Sequence, residues 1–410
     1  MNRVSACVCV AFVVGCEQPL VNVVTEGRCA PVAGEPARPA ADFLDTLGIN
    51  TSLADAEDVG PNGKPYTATL SELGIRHIQS GELSFADHGP GVVRVIKSGF
   101  VPLWRLNRNS DVAAFLGSWA GFVPAVTLPD PDDFNSNSNF KALEALQRAK
   151  VVRAVVDALP VAQRPQIIGF RLSSLQDVEA VGDLSELVDA GGFRSSIPPQ
   201  APEESFGAWF TMARSLASRR PLLATQVGYE GGPAGAGNPR EGEAVQAKYV
   251  MRILFESFNQ GVVRSYYDGL FDACGDCNGG LARIDGTPKP AFTAWQTMVK
   301  ILRDEAPVTP AAPQLPFTFE SGGNEQSKLH HTLLVRADQT FVLFLWLQGR
   351  SNDVDMTGLV KLRVGWPLRS ATLRSLLSPA TSASLDPTMP LSIPVTDMPV
   401  AVLLQTACSP

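Results

Sequence analysis

Between residues 41 and 302, short apolar runs alternate with amphipathic stretches, and this alternation constrains the fold more than any other property of the chain. Periodicity places strands at Gly48–Ser52, Gly74–Gln79, Phe100–Leu106, Gly121–Leu128, Pro165–Ser173, Leu187–Phe193, Pro221–Gln226 and Val262–Tyr267. It places helices at Ala41–Leu47, Tyr66–Leu73, Asp111–Trp119, Asn139–Leu159, Ser205–Ala217, Glu241–Phe258 and Ala291–Leu302. Strand cores such as Val123-Pro124-Ala125-Val126 and Leu222-Leu223-Ala224 are apolar at consecutive positions, which suits burial on both faces. A parallel sheet covered by helices meets that demand, and eight strand units before a break predict that it closes into a (β/α)8 TIM barrel. An open doubly wound sheet is the alternative, but the glycine-rich phosphate loop it would carry after the first strand is missing.

Beyond residue 302 the pattern changes. Pro307, Pro310, Pro313 and Pro316 space out a semi-rigid stretch. The segments Leu329–Arg336, Thr340–Leu347, Leu359–Val364, Ser370–Leu376 and Val400–Gln405 follow, short and rich in Val, Leu and Phe. They predict a small antiparallel β-sandwich. The fold class is therefore α/β, with a barrel over 41–304, a Pro-rich linker over 305–316 and a sandwich over 317–410.

The N-terminus carries a charged start at Asn2-Arg3, an apolar stretch from Val4 to Val14, and Val13-Val14-Gly15-Cys16. This resembles the lipobox of bacterial lipoproteins. The resemblance implies a signal over 1–15, acylation of Cys16, a tether over 16–40 and an address in the cell envelope, at the outer membrane or cell surface. A plain cleaved signal and an uncleaved anchor stay open, although the apolar run is short for a span of about 30 Å. In an oxidising compartment Cys29, Cys274, Cys277 and Cys408 form an even set with three possible pairings, of which Cys274–Cys277 and Cys29–Cys408 are preferred. A zinc site at Cys274 and Cys277 would need two further ligands, and none of the four histidines has a matching spacing. The net charge of -7, with no cluster of Lys or Arg, argues against nucleic acid.

Several phrases resemble the catalytic barrel of clan A glycoside hydrolases, especially branches with a C-terminal β-sandwich such as the β-xylosidase and glucuronidase types. Gly48-Ile49-Asn50-Thr51 is similar to the first-strand entry, Leu73-Gly74-Ile75-Arg76-His77-Ile78 to the second, and Thr225-Gln226-Val227-Gly228-Tyr229 to the seventh. Gly280-Leu281-Ala282-Arg283 with Thr287-Pro288-Lys289-Pro290 resembles the loop into the last helix, and Phe344-Leu345-Trp346 a sandwich strand. The resemblance implies a carbohydrate ligand and two carboxyl groups at the C-terminal ends of the strands, one as acid and one as nucleophile or base.

Both expected carboxyl positions depart from the family pattern. After the fourth strand Pro129-Asp130 stands where Asn-Glu would be, and after the seventh Gln226 stands where the nucleophilic Glu would be. An amide is a poor nucleophile and carries no charge to stabilise an oxocarbenium ion. The sequence therefore predicts a carbohydrate-recognising relative whose hydrolysis is lost or much reduced. One alternative is an active hydrolase with a relocated carboxylate pair, using Asp130 as acid with Glu230 or another mouth carboxylate. The other is a non-catalytic envelope scaffold. Asn50, Glu82, Arg194, Tyr229, Tyr266, Tyr267 and Asp268 fall near strand ends and are expected to contact sugar, the tyrosines by ring stacking. Arg76 is expected in a buried ion-pair network. No motif for a metal or organic cofactor is present, so none is expected, and nothing in the sequence sets the oligomeric state.

Overall fold

The computed structural model describes residues 33–51, 58–80, 91, 93–119, 121–130, 138–170, 175–196, 201–229, 242–273, 279–303, 313–320, 328–349, 356–378 and 380–407. Two short strands open it, β1 (Glu35–Pro36) and β2 (Arg38–Pro39). Eight parallel strands follow: β3 (Leu47–Asn50), β4 (His77–Ser80), β5 (Val101–Arg105), β6 (Ala125–Thr127), β7 (Gln166–Ile168), β8 (Gly191–Ser196), β9 (Leu222–Gly228) and β10 (Arg264–Tyr267). They pair in the order β7-β6-β5-β4-β3-β10-β9-β8, and a parallel bridge between Ile168 and Ala190 joins the two ends. The seam needs small residues, because a Cβ on Gly192 would stand 2.1 Å from the carbonyl oxygen of Gly169. Helices α1 (Ala40–Asp45), α2 (Tyr66–Glu72), α3 (Val112–Trp119), α4 (Ser138–Ala158), α5 (Leu175–Val181), α6 (Pro202–Leu216), α7 (Glu243–Asn259) and α8 (Pro290–Leu302) accompany the strands.

The two sides of the barrel wall follow from the two-residue period of a strand. Ile49, Ile78, Trp104, Val126, Ile167, Ala224 and Tyr267 point outward into the large core shared with the helices. Their neighbours Leu103, Leu223 and Tyr266, with Ile168 and Ala190, fill the barrel interior as a separate cluster. Gly48 leaves room for that filling, since a Cβ there would lie 2.7 Å from the Tyr266 ring.

The C-terminal region comprises β11 (Gln314–Leu315), β12 (Phe317–Glu320), β13 (Leu329–Val335), β14 (Phe341–Leu347), β15 (Thr357–Val364), β16 (Leu368–Ser375), β17 (Ser382–Leu385), β18 (Leu391–Thr396) and β19 (Val400–Thr406). A three-stranded sheet β12-β15-β18 faces a six-stranded sheet β17-β16-β19-β14-β13-β2. Every residue of β14 is buried, and its two faces serve different cores. Phe341, Leu343, Leu345 and Leu347 join the sandwich core, whereas Val342, Phe344 and Trp346 join the barrel core. Helix α7 lies on the other side of that contact and is buried from Val245 to Phe258. Phe255 stacks against Phe344 with centroids 4.4 Å apart and against Trp346 at 5.6 Å.

Polar groups are built into the same interface. Arg252 bonds Glu203 through Nε at 2.8 Å and donates to the Gly349 carbonyl at 2.9 Å, while the Trp346 indole donates to Glu203 at 2.8 Å. Lys248 pairs with Asp397 at 3.2 Å. His330 sets Nδ1 2.6 Å from Glu256 and Nε2 3.0 Å from the side-chain oxygen of Gln348, so both ring nitrogens meet acceptors. Burial alone would lower this imidazole, but Glu256, Gln348 and Glu203 outweigh it and the net shift is upward. Because the folded state then binds the proton more tightly than the unfolded chain, the added stability is full below the unfolded pKa near 6.5. It is lost as pH rises through the folded value. Thermal unfolding of the parent and of His330→Gln between pH 5 and 9 should therefore differ most at the acid end, by about 1 kcal/mol, and converge at the alkaline end.

Four expectations are corrected. Residues 35–36 and 38–39 of the expected tether and Gln314–Leu315 of the expected linker are strands: β1 pairs with β11, and β2 pairs in parallel with β13. The strand expected at Leu187–Phe193 starts at Gly191, because residues 185–187 form a turn and the Asp189 side chain accepts the Ile167 N–H at 2.8 Å. Helix α5 and strands β12, β17 and β18 add to the predicted set. Arg76 is exposed rather than buried, since it precedes β4 at the N-terminal end of the barrel.

Candidate functional site at the barrel mouth

A cleft of about 430 Å³ opens at the C-terminal ends of the strands, lined among others by Asn50, Gln79, Arg105, Gln226, Asp268 and Asp272. Strand parity delivers most of these side chains. Arg105 stands two residues beyond Leu103, and Asp268 two beyond Tyr266, so each rises on the inner face just above the packed interior. Asn50 relates in the same way to Gly48, and Gln79 to His77.

Gln226 arrives by a different route. The register of β9 slips against both neighbours: Phe193 pairs with Ala224 but Arg194 with Gln226, and Ser265 pairs with Ala224 but Tyr267 with Val227. Thr225 is therefore an extra residue in β9, a bulge that turns the following side chain onto the opposite face. Its hydroxyl donates to the Phe193 carbonyl at 3.1 Å, and its own carbonyl accepts the Asn50 amide at 3.4 Å. Without the bulge the parity of Leu223 would bring Thr225, not Gln226, into the cleft.

In the cleft the Gln226 amide donates a hydrogen bond to the Asp268 carboxylate. Gly228 permits that approach, because a Cβ there would sit 2.7 Å from the Asp268 Cβ. The second lining carboxylate, Asp272, is committed elsewhere: Lys289 Nζ lies 2.7 Å away and the Gly280 N–H donates to it at 2.9 Å. Lys289 is fully buried, so this pair braces the loop that follows β10. Tyr66 and Phe271 meet edge to face at 5.3 Å and give the cleft an aromatic wall.

The predicted residues divide clearly. Asn50, Gln226 and Asp268 come together in the cleft. Asp130, just past β6, is 5% exposed and is not among the residues that line it. Arg194 is exposed on β8 and is likewise not a lining residue. The tyrosine expectation is corrected, because none of the three offers a ring face to a ligand. Tyr266 belongs to the interior packing, where burial pushes its hydroxyl up to about 12. Tyr267 points outward and donates to the Gly279 carbonyl at 2.8 Å, with burial again raising its pKa. Tyr229 stacks on Tyr249 of α7 at 4.4 Å. Glu82, Glu230, Cys16, Cys29, Cys274, Cys277 and Cys408 lie outside the described residues.

Sequence reasoning missed Arg105, Gln79 and Tyr66, although the signal for each was present. Arg105 and Gln79 follow from the parity of strands already recognised. Tyr66 opens a helix that follows a strand, and such helix starts lie at the mouth of a barrel. Among the described residues no group of three or more His, Cys, Asp or Glu is placed to hold a metal ion. No helix there is long and apolar enough to cross a membrane.

No family model and no curated protein matches the sequence. Solved structures do match the fold. The α-L-arabinofuranosidase of Thermotoga maritima superposes with a TM-score of 0.58 at 9% identity, covering 91% of this chain and 98% of its own. The family 51 α-L-arabinofuranosidase of Thermotoga petrophila gives 0.59 at 8% identity with the same coverage. A family 17 β-1,3-glucanosyltransferase from Rhizomucor miehei gives 0.44 at 11% identity over 60% of this chain and 96% of its own. The chain thus has the barrel-and-sandwich fold of clan A glycoside hydrolases.

Proposed function

We propose that this is an exported, lipid-anchored protein of the cell envelope whose barrel mouth binds a carbohydrate, with hydrolysis lost or much reduced. One observation carries the reading: where a barrel glycosidase gathers two opposed carboxyl groups, the described residues of this cleft hold the Gln226 amide bonded to Asp268, and their other lining carboxylate, Asp272, is paired with Lys289. Cleavage of a glycosidic bond needs an acid and a separate base or nucleophile about 5–5.5 Å or 6.5–9.5 Å apart. A polar cleft with an aromatic wall remains suited to hydroxyl-rich ligands. The Asp130-dependent hydrolase gains no support, because Asp130 is buried and is not among the residues that line the cleft.

A glycan array probed with the purified protein tests the reading. Saturable binding of at least one oligosaccharide, weakened by Asn50→Ala, is expected. Binding to none would leave the scaffold reading ahead. Acylation is tested separately by metabolic labelling with a palmitate analogue, which Cys16→Ala should abolish; label retained by that variant would refute the anchor.

A further inference from the structure

Helix α4 is apolar on two opposite sides. Ala142, Ala145, Ala149, Val152 and Val156 are buried against the barrel. At about 3.6 residues per turn, Leu143, Gln147, Val151, Ala154 and Ala158 line the outward side, and all five are exposed. A surface helix ordinarily turns charge to solvent, whereas a helix that is apolar all round is a buried one. Neighbouring α3 contains no charged residue and exposes Ala113, Ala114, Gly117 and Ser118. Phe122, Leu143, Val151 and Val161, on α4 and the loops beside it, are 42% to 78% exposed. Phe122 reaches the C-terminal end of α4, where it lines a groove of about 330 Å³ with Ala162, Gln163 and Arg164. The charges that flank this side complement a second copy of the same helix. Arg148 donates to the Ser110 carbonyl, so α3 lies on the Arg148 flank. Lys150 and Asp157 stand on the other flank, about two turns apart. Lys150 is exposed and makes no ion pair among the described residues. Asp157 is 55% exposed, with Arg153 3.6 Å and Arg164 4.0 Å away, and Arg153 lies closer to Asp189, at 3.2 Å.

We propose that the α3–α4 side of the barrel is the interface of a two-fold homodimer, in which α4 packs antiparallel against α4 of a second copy with Ala154 beside the axis. A two-fold that reverses the helix keeps each flank facing its own counterpart, so Lys150 comes opposite Asp157 of the second copy and the pair forms twice. The same operation seats Val151 between Ala154 and Ala158 of the second copy and carries Leu143 to its Val161 and Phe122. Small side chains near the axis let the two backbones approach closely. A parallel arrangement would instead bring Lys150 beside Arg148 of the second copy, two like charges. The α3 helices of both copies lie on the Arg148 flank and extend the contact beyond a single helix.

Sedimentation equilibrium of the full chain in density-matched detergent reads the oligomeric state. The parent should be dimeric at about 50 µM, and Val151→Glu should be monomeric there. Met389→Glu, which changes an exposed apolar residue of the sandwich, should dimerise as the parent does. Lys150→Asp and Asp157→Lys should each weaken the dimer about tenfold, and the double variant should recover the parental affinity. A parent that is monomeric at that concentration, or a dimer that Val151→Glu leaves intact, would overturn the interface. Single variants without effect, or a double variant that fails to recover, would overturn the antiparallel register. Should Val151→Glu melt earlier than the parent, the charge-swap set decides, since both of its positions are exposed.

Discussion

Lys248→Met should lower the unfolding free energy by about 3–5 kcal/mol. Lys248 and Asp397 are 2% and 0% exposed, 3.2 Å apart, on opposite sides of the contact between α7 and the sandwich. Among the described residues neither carboxylate oxygen of Asp397 accepts a hydrogen bond, so the ammonium is its compensation. With the ammonium gone, a carboxylate would remain in a dry interface, and a charge stranded there is far more costly than an intact pair is helpful. Urea unfolding of Lys248→Met, Asp397→Leu and the double variant checks the account. The double variant should recover most of the loss, since an apolar pair of similar volume replaces the ionic one. Additive losses in the double variant would show that the two side chains do not act on each other.

Gln226→Glu is the second substitution with a large expected effect, and its sign is informative. Restoring a carboxylate at the seventh strand looks like repair, yet the amide is hydrogen-bonded directly to Asp268. Two carboxylates in that position repel, and in a half-exposed cleft the expected loss is about 1–3 kcal/mol at neutral pH. The pair should share a proton, with one of the two groups titrating above the usual carboxylate range. The loss should therefore fade as pH drops, because the raised folded pKa favours the protonated state. Hydrolysis should stay absent, because the two groups would be in hydrogen-bond contact rather than about 5–5.5 Å apart. Differential scanning calorimetry from pH 4 to 8 with a parallel activity assay reads both outcomes; a stable variant that cleaves glycosides would contradict the geometry.

Much of the barrel was legible from the sequence, because burial on both faces forces long apolar strand cores such as Leu222-Leu223-Ala224 and because the strands recur at similar spacing. The interface helix was legible for the same reason. What escaped was set by tertiary context. Arg38-Pro39 becomes a strand of the sandwich through two residues paired with Leu334 and Val335, too short a run to carry a periodic signal. Tyr266 and Tyr267 are adjacent, so the pleat sends one into the packed interior and the other against the helices, and neither reaches the mouth. Gln226 reaches the cleft only because Thr225 is bulged, and a bulge in a Thr-Gln-Val run has no compositional mark. Arg105 escaped although its signal is simple: once Leu103 is known to face the interior, parity alone points Arg105 at the mouth.

Among the described residues, the mouth brings no two lining carboxyl groups into the opposed arrangement that hydrolysis needs. Incubation with 2,4-dinitrophenyl glycosides of several sugars tests it most directly, because that leaving group departs without protonation and exposes any competent nucleophile or base. Dinitrophenolate release is expected to be no faster than in protein-free buffer, from the parent and from Asp268→Asn alike. Release well above that rate, abolished by Asp268→Asn or Asp130→Asn, would contradict it.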